Sequence, residues 1–213
     1  MKTNDLIDFL SIEPQVLPKS FWRLRSVALL IGGLLISSLM MKALYGVRPD
    51  LLQSMSQANF WVKLMFSISL AVPASQLLIS LGRPGMHIKW LWWIMAIPFL
   101  AMGLMALQDV MHADVSQRSA MVLGETWRSC PFNITLLSLP LMGASLGFAK
   151  SLAPTKLQLT GACAGFLSGA LAAMVYCFHC PESALPFVVI WYSLGILLPM
   201  GLGAYLGPKI LSW

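Results

Sequence analysis

The sequence predicts an all-α membrane protein, a bundle of six transmembrane helices with both termini in the cytoplasm and a short amphipathic helix at the N-terminus. Composition predicts the class. Of the 213 residues 58% are hydrophobic and only 10% are charged, and the mean hydropathy is +0.76, whereas soluble domains carry about 25% charged residues. Six stretches also reach the roughly 20 apolar residues that a helix needs to cross the hydrocarbon core.

The six predicted spans follow one another with short connections. They cover residues 24–45, 61–81, 90–109, 132–150, 157–177 and 186–206. We therefore divide the chain into a cytoplasmic segment, residues 1–20, and a transmembrane domain, residues 21–213. The first stretch has no convincing small-residue cleavage site in front of a mature domain, so we interpret it as a retained span and not as a secretory signal.

The distribution of basic residues predicts the orientation, because Lys and Arg collect on the cytoplasmic side of a membrane. With the N-terminus inside, nine basic residues lie inside and five outside. The inner set is Lys2, Lys19, Arg23, Arg25, Arg83, Lys89, Lys150, Lys156 and Lys209, and the outer set is Lys42, Arg48, Lys63, Arg118 and Arg128. The formal charge of +6 then lies at the inner face, where it attracts anionic lipid headgroups of the bilayer. No basic run is interleaved with aromatic residues, so we expect no direct contact with nucleic acid.

Glycines at four-residue spacing predict which spans pack closely. They occur in the fifth span at Gly161, Gly165 and Gly169, in the fourth at Gly143 and Gly147, and in the sixth at Gly203 and Gly207. Small residues at this spacing let helix backbones approach each other. We expect spans four to six to form a tight unit.

Polar chemistry inside the spans is sparse. Every ionisable residue lies at or near an end of its span, whereas coupled ion transport normally uses charged residues near the middle of the bilayer. The chain also lacks the P-loop, GxGxxG, HExxH and GxSxG motifs of nucleotide, metalloprotease and serine-hydrolase chemistry. We therefore predict that the protein is not an enzyme and has no obligatory cofactor.

Two Cys-Pro dipeptides, Cys130-Pro131 and Cys180-Pro181, each precede a predicted span on the outer side. Cys177 and His179 lie next to the second dipeptide. Thiolates and imidazole bind soft and borderline metal ions, so Cys130, Cys180, Cys177 and His179 are the candidate ligands of a transient heavy-metal ion. Cys163 lies deep in the fifth span among small residues, where a cysteine behaves as a small hydrophobic residue.

The residues alone leave three interpretations of the outer thiols open. An oxidising compartment favours a structural disulfide such as one between Cys130 and Cys180. A thioredoxin-like oxidoreductase would use a Cys-x-x-Cys motif with a second pair, and three outer cysteines do not supply two pairs. The third interpretation is a thiol site that binds a metal ion or reacts with an oxidant and thereby changes the helix packing.

The N-terminus carries a second candidate site. Residues 3–10 begin with capping residues and place apolar side chains on one helix face. A helix of about ten residues is marginal alone in water, so it needs either the membrane surface or a protein to pack against. Its acidic residues suit an anionic membrane poorly, and we expect it to bind a protein partner in a groove. The contact residues are Asp5, Leu6, Ile7, Phe9 and Leu10.

Several of these features together resemble the NrsF-type family of bacterial inner-membrane anti-sigma factors. They are the opening Met1-Lys-Thr-x-Asp-Leu-Ile-x-x-Leu, the following Pro14-Gln-Val16, Arg23 before the first span, the six-span plan and the two outer Cys-Pro dipeptides. The resemblance covers essentially the whole chain. One departure is Ser11-Ile12-Glu13, where members of the family commonly have Ala-Ala-Asp.

The resemblance implies a function in transcription regulation. Such proteins hold an extracytoplasmic-function sigma factor at the inner membrane through the short cytoplasmic N-terminal segment. Heavy-metal or oxidative stress at the two outer cysteines, here Cys130 and Cys180, then releases the sigma factor.

A small soft-metal transporter or efflux component is the alternative. In it the outer thiols would capture the ion and Cys163 would relay it inward. The absence of cytoplasmic cysteines and the spare N-terminal helix argue against transport. A purely structural membrane subunit is the third class, and it predicts no effect of any cysteine substitution.

Overall fold

The computed structural model describes residues 19–82 and 89–212, and these residues form helices and no strand. Six helices are long and apolar enough to cross a membrane, which confirms the predicted all-helical, six-span class. They are span 1 (Lys19–Leu44), span 2 (Ala58–Leu81), span 3 (Lys89–His112), span 4 (Cys130–Ser151), span 5 (Leu157–Tyr176) and span 6 (Leu185–Ile210). The predicted partner-binding residues Asp5, Leu6, Ile7, Phe9 and Leu10 lie outside the described residues.

Span 5 is the centre of the bundle. Some 78% of its residues are buried, against 17% in the hydrophobic windows of spans 1 and 3. Its sequence is rich in glycine and alanine, so neighbouring backbones can approach it from several sides. Spans 2, 4 and 6 pack around it, and spans 1 and 3 lie at the periphery.

The glycine spacing correctly predicts the contact between spans 5 and 6 but not the role of the glycines in span 4. A Cβ added to Gly161 would collide with the carbonyl oxygen of Gly203, and one added to Gly165 would collide with that of Pro199. At Gly143 and Gly147 an added Cβ would meet no atom within 4 Å. Those two glycines face away from the neighbouring helices, because the spacing of small residues does not fix the rotation of a helix about its axis.

The three loops that join spans 1 to 2, 3 to 4 and 5 to 6 meet at one end of the bundle. We call this end, residues 45–57, 113–129 and 177–184, the cysteine end. Two short helices, Leu51–Met55 and Val115–Leu123, lie in the first two of these loops. At the opposite end, Gly82 after span 2 lies against Leu152 after span 4.

Span 6 does not begin as a regular α-helix. After one short α-helical turn, Leu185–Phe187, residues Val188–Tyr192 form a π-helix, and an α-helix resumes over Ser193–Ile210. A π-helix contains one more residue per hydrogen-bonded turn than an α-helix, and such segments are frequent at functional sites. Here Tyr192, the last residue of the π-helix, is fully buried at the cysteine end.

Candidate functional site

The thiols of Cys130 and Cys180 lie in contact at the cysteine end. Cys130 is the first residue of span 4, with Pro131 in the first turn, where a proline costs no helical hydrogen bond. Cys180 lies in the turn after span 5, and its N–H donates to the Tyr176 carbonyl at 3.0 Å. Both residues are 0% exposed, and their thiol groups are adjacent. The fold thus brings together the two cysteines of the Cys-Pro dipeptides, both as free thiols.

The other two predicted metal ligands are placed differently. Cys177 is buried directly after span 5, near Lys63 and Tyr192. The His179 Nδ1 faces the Gly46 carbonyl oxygen at 3.0 Å, and its ring packs 5.4 Å from the rings of both Tyr45 and Tyr176. Within residues 19–82 and 89–212, no group of three or more Cys, His, Asp or Glu side chains is arranged to hold a metal ion.

Lys63 of span 2 is a buried cation beside the thiols. It is 1% exposed, and its Nζ donates to the carbonyl oxygens of Cys180 at 3.1 Å and Glu182 at 3.0 Å. From its sequence position Lys63 is expected among the charges of the outer surface, but in the structure its side chain is buried. The sequence does contain a signal for this role. A single Lys among apolar residues in the first turns of a span is by default a candidate functional residue.

A second cation, Arg48, reaches the same turn from the loop between spans 1 and 2. Its Nη1 donates to the Cys180 carbonyl oxygen at 3.2 Å, and its backbone N–H donates to the Phe178 carbonyl. The remaining guanidinium donors bind the Asp50 carboxylate at 2.8 and 2.6 Å. These hydrogen bonds lower the pKa of Asp50 to about 2 and raise the pKa of Arg48. The ion pair fixes the guanidinium that reaches residues 177–184 between spans 5 and 6, which we call the cysteine turn.

Glu182 joins the cysteine turn to the loop that precedes Cys130. Its carboxylate accepts the Glu125 N–H at 2.8 Å. Gly124 has a φ of +56°, and an added Cβ there would lie 2.7 Å from the Glu182 carboxyl carbon. Only glycine suits this position, for both its backbone conformation and its space. The segment that leads into Cys130 is therefore held by the segment that follows Cys180.

Tyr192 closes the site from span 6. Its side chain is fully buried, and its ring lies 5.6 Å from the Lys63 Nζ and 6.1 Å from the Tyr176 ring. Its hydroxyl is close to the thiols of Cys177 and Cys180 but forms no hydrogen bond of acceptable geometry. By contrast, the Tyr176 hydroxyl accepts a hydrogen bond from Asn133 Nδ2 at 3.1 Å. The site thus contains one buried hydroxyl without a partner.

The surroundings distinguish the two thiols in the cysteine turn. The adjacent Cys130 thiol lowers the pKa of Cys180, and the Lys63 ammonium acts in the same direction. Burial raises the pKa of Cys177 to about 11. Since the thiolate is the nucleophile and the metal ligand, Cys180 is the more reactive of the two.

Two thiols in contact can do two kinds of chemistry. They can lose two electrons and two protons to an oxidant and form a disulfide, or they can lose their protons and bind one soft metal ion between them. Both reactions place one new link between the start of span 4 and the turn before span 6. The donor set fits a soft ion held by Cys130 and Cys180.

Cys163 lies away from this site, in span 5. It is buried and its thiol donates to the Ala74 carbonyl oxygen at 3.4 Å. It also borders a cavity of about 250 Å³ whose other lining residues are apolar, namely Leu77, Met95, Ala96, Phe99, Leu159, Ala162, Phe166 and Met200.

Comparison with known proteins identifies relatives over the whole chain. A protein of Azospira oryzae named "Probable anti-sigma-F factor NrsF" is 40% identical, and the "Anti-sigma-F factor NrsF" of Caulobacter vibrioides is 34% identical, each across 100% of both chains. No solved structure matches. The family NrsF, described as "Negative regulator of sigma F", matches residues 11–213. The chain belongs to this family.

Proposed function

We propose that this chain is an anti-sigma factor of the bacterial inner membrane that holds an extracytoplasmic-function sigma factor and releases it when its thiol pair reacts. Both termini are cytoplasmic, and the cysteine end faces the outside. The segment of residues 1–20 binds the sigma factor. A heavy-metal ion or an oxidant at Cys130 and Cys180 is the signal. The names of the two full-length relatives support the anti-sigma role.

The observation that carries this proposal is the contact between the thiols of Cys130 and Cys180. The two residues are 50 positions apart in the sequence, yet both are fully buried at one end of the bundle. A disulfide or a bound soft ion links them without any large movement of the chain. The input site is therefore assembled before the signal arrives.

The helix contacts below the site suggest how the reaction reaches the other end. Cys130 begins span 4 and Cys180 leads into span 6. Spans 5 and 6 are in backbone contact along Gly161, Gly165 and Gly203, so they move as one body when the turn at Cys180 moves. A tilt or slide of this pair against span 4 is the kind of small helix shift by which packed bundles switch.

The N-terminal segment supplies the output. Leu6, Ile7, Phe9 and Leu10 form an apolar helix face, and Asp5 adds a charge at its edge. This pattern suits binding in a groove of a partner protein. Release then needs no covalent change in the sigma factor. It needs only that span 1 change the position or accessibility of residues 1–20.

For a metal signal, Cys130 and Cys180 are the residues that would hold the ion. Cys177 and His179 are its additional candidate ligands, and in the described residues they are not arranged as a ligand group with the thiol pair. The ion supplies a bond between two thiolates that the free thiols lack.

The direct test replaces both Cys130 and Cys180 by serine. We expect the double variant to bind the sigma factor as the parent does but to lose its release by cadmium or by a thiol oxidant, measured by co-purification from membranes. Cys163→Ser is the matched control and should release normally. Normal release from the double variant would contradict the proposed input site.

The output is tested by deleting residues 1–20. We expect the truncated protein to insert into the membrane and to leave the sigma factor free, with the target genes transcribed constitutively. Continued sequestration would place the partner site on the loops of the cytoplasmic face instead.

A further inference from the structure

Lys63 is the one basic residue of spans 1 to 6, among those whose side chains the structure describes, that is almost completely buried, and it lies beside the thiols. A buried ammonium group is retained only where its donors are satisfied, because its desolvation is costly. Here no carboxylate of the described residues pairs with it, since the ion pair found there is Arg48 with Asp50. Two backbone carbonyl oxygens accept its hydrogen bonds instead of a carboxylate.

Those two carbonyls belong to Cys180 and Glu182. Both lie in the turn between spans 5 and 6, which is irregular backbone at the cysteine end. Without the ammonium group, the Glu182 carbonyl would lose this charge-assisted hydrogen bond, and the Cys180 carbonyl would keep only the one from Arg48. Lys63 thus attaches this turn to span 2 through a charged group.

The attachment sets the position of the reactive thiol. Cys180 lies at the start of the segment that Lys63 holds, and the side chain of Glu182 holds the loop that leads into Cys130. A second bond from span 2 ends on the same turn, since Asn59 Nδ2 donates to the Ser183 carbonyl at 3.2 Å. Span 2 therefore fixes the turn from which one thiol meets the other.

We propose that Lys63 is the positioning residue of the thiol site, whose ammonium group holds the 180–182 turn so that Cys180 meets Cys130, and that it passes a movement of this turn to span 2. The second part rests on the proposed function; the first part does not. Lys63 touches neither the ion nor the oxidant in this role, and it acts through two carbonyl oxygens.

The test measures which thiols pair in the full-length protein in detergent. Diamide removes one hydrogen from each of two thiols, which form a disulfide while diamide is reduced to the hydrazine. Peptide mass spectrometry then counts the Cys130–Cys180, Cys177–Cys180 and Cys130–Cys177 disulfides. Lys63→Met is expected to form the first of these at least about 10-fold more slowly, with a larger share of the other two pairs.

Two matched variants separate positioning from general stability. Lys63→Arg keeps a cation with several donors and should restore the pairing rate to within about 3-fold of the parent. Lys209→Met removes a lysine that contacts a tyrosine, Tyr205, at the opposite end of the bundle, and should pair as the parent does. If Lys63→Met does not fold, Lys63→Gln is measured in its place with the same expectation.

Parent-like rate and pairing in the uncharged Lys63 variant would overturn the positioning role. A loss of stability alone would lower the melting temperature without changing the ratio of the three disulfides, and that result would also overturn it. The transfer of movement to span 2 is measured separately. At equal disulfide content, the Lys63→Met protein should release less sigma factor than the parent. Equal release would overturn this part of the proposal. The pairing assay contains no sigma factor, so a failure of the proposed function leaves its result intact.

Discussion

Gly161 of span 5 and Gly203 of span 6 face each other so closely that a Cβ on either one would collide with the carbonyl oxygen of the other. The obstacle is backbone on both sides, which cannot rotate away as a side chain does. The two helices are therefore held at a distance that only glycine permits.

Gly161→Ala should separate spans 5 and 6 and destabilise the bundle. We expect a loss of about 1–3 kcal/mol, the usual cost of overpacking, visible as a lower melting temperature in detergent. Gly143→Ala is the matched control, because its added methyl group meets no atom within 4 Å, and it should leave the melting temperature unchanged. Equal effects of the two substitutions would contradict the close contact.

Removal of the two buried tyrosine hydroxyls should have opposite effects. The Tyr192 hydroxyl lacks a hydrogen bond, so Tyr192→Phe removes an unsatisfied polar group and should leave stability unchanged or raise it by up to about 1 kcal/mol. Tyr176→Phe removes the acceptor of Asn133 and should lower stability by about 1 kcal/mol. Thermal unfolding of both variants measures the difference. A clear destabilisation by Tyr192→Phe would show that its hydroxyl has a partner.

The two thiols of the cysteine turn should respond differently to pH. The adjacent Cys130 thiol and the Lys63 ammonium lower the pKa of Cys180, whereas burial raises the pKa of Cys177 to about 11. Between pH 8 and 10 the rate at which Cys177 is labelled should therefore rise about 100-fold, in proportion to its thiolate fraction, while that of Cys180 changes less. Methyl methanethiosulfonate labelling with peptide mass spectrometry follows each site.

Denatured protein is the reference for this experiment. There the two cysteines should regain similar pKa values and label at similar rates. Both side chains are equally buried in the folded protein, so unequal access does not explain a difference. Faster labelling of Cys177 than of Cys180 at pH 8 would contradict the described surroundings.

Cys163 distinguishes the anti-sigma proposal from the soft-metal transporter. Its thiol is occupied by the Ala74 carbonyl and lies in apolar surroundings, so Cys163→Ala should cost about 1 kcal/mol or less and should leave release unchanged. Metal uptake into vesicles should be equal, and negligible, for parent and variant. Uptake by the parent that the variant loses would favour the transporter.

The sequence predicts the spans and the placement of the two cysteines at the same end of the bundle for a simple reason. Six apolar stretches determine the helices, and loops separated by an even number of spans lie on the same side of a membrane, which brings the loops of Cys130 and Cys180 to one end. Their direct contact does not follow from the topology alone, because it depends on which helices are neighbours.

Lys63, Gly143 and Tyr192 show where sequence reasoning stops. Each depends on the rotation of a helix about its axis, and nearly uniform hydrophobicity around the spans leaves that rotation open. The sequence therefore predicts Lys63 as a surface charge and Gly143 as a contact residue, whereas Lys63 is buried and Gly143 has no neighbour within 4 Å of an added Cβ. The π-helix at Val188–Tyr192 has no local signal either, since its residues would fit an α-helix equally well.

The π-helix also sets the angular phase of span 6. One residue of an α-helix corresponds to a rotation of about 100° and a rise of about 1.5 Å. Deletion of a single residue from Val188–Tyr192 would convert this stretch to ordinary α-helix. The first turn of span 6, Leu185–Phe187, would then be rotated by about 100° relative to the face that carries Gly203. The extra residue of the π-helix therefore lets span 6 satisfy two requirements. Its later part places Gly203 against span 5, and its first turn places the cysteine turn next to Cys130.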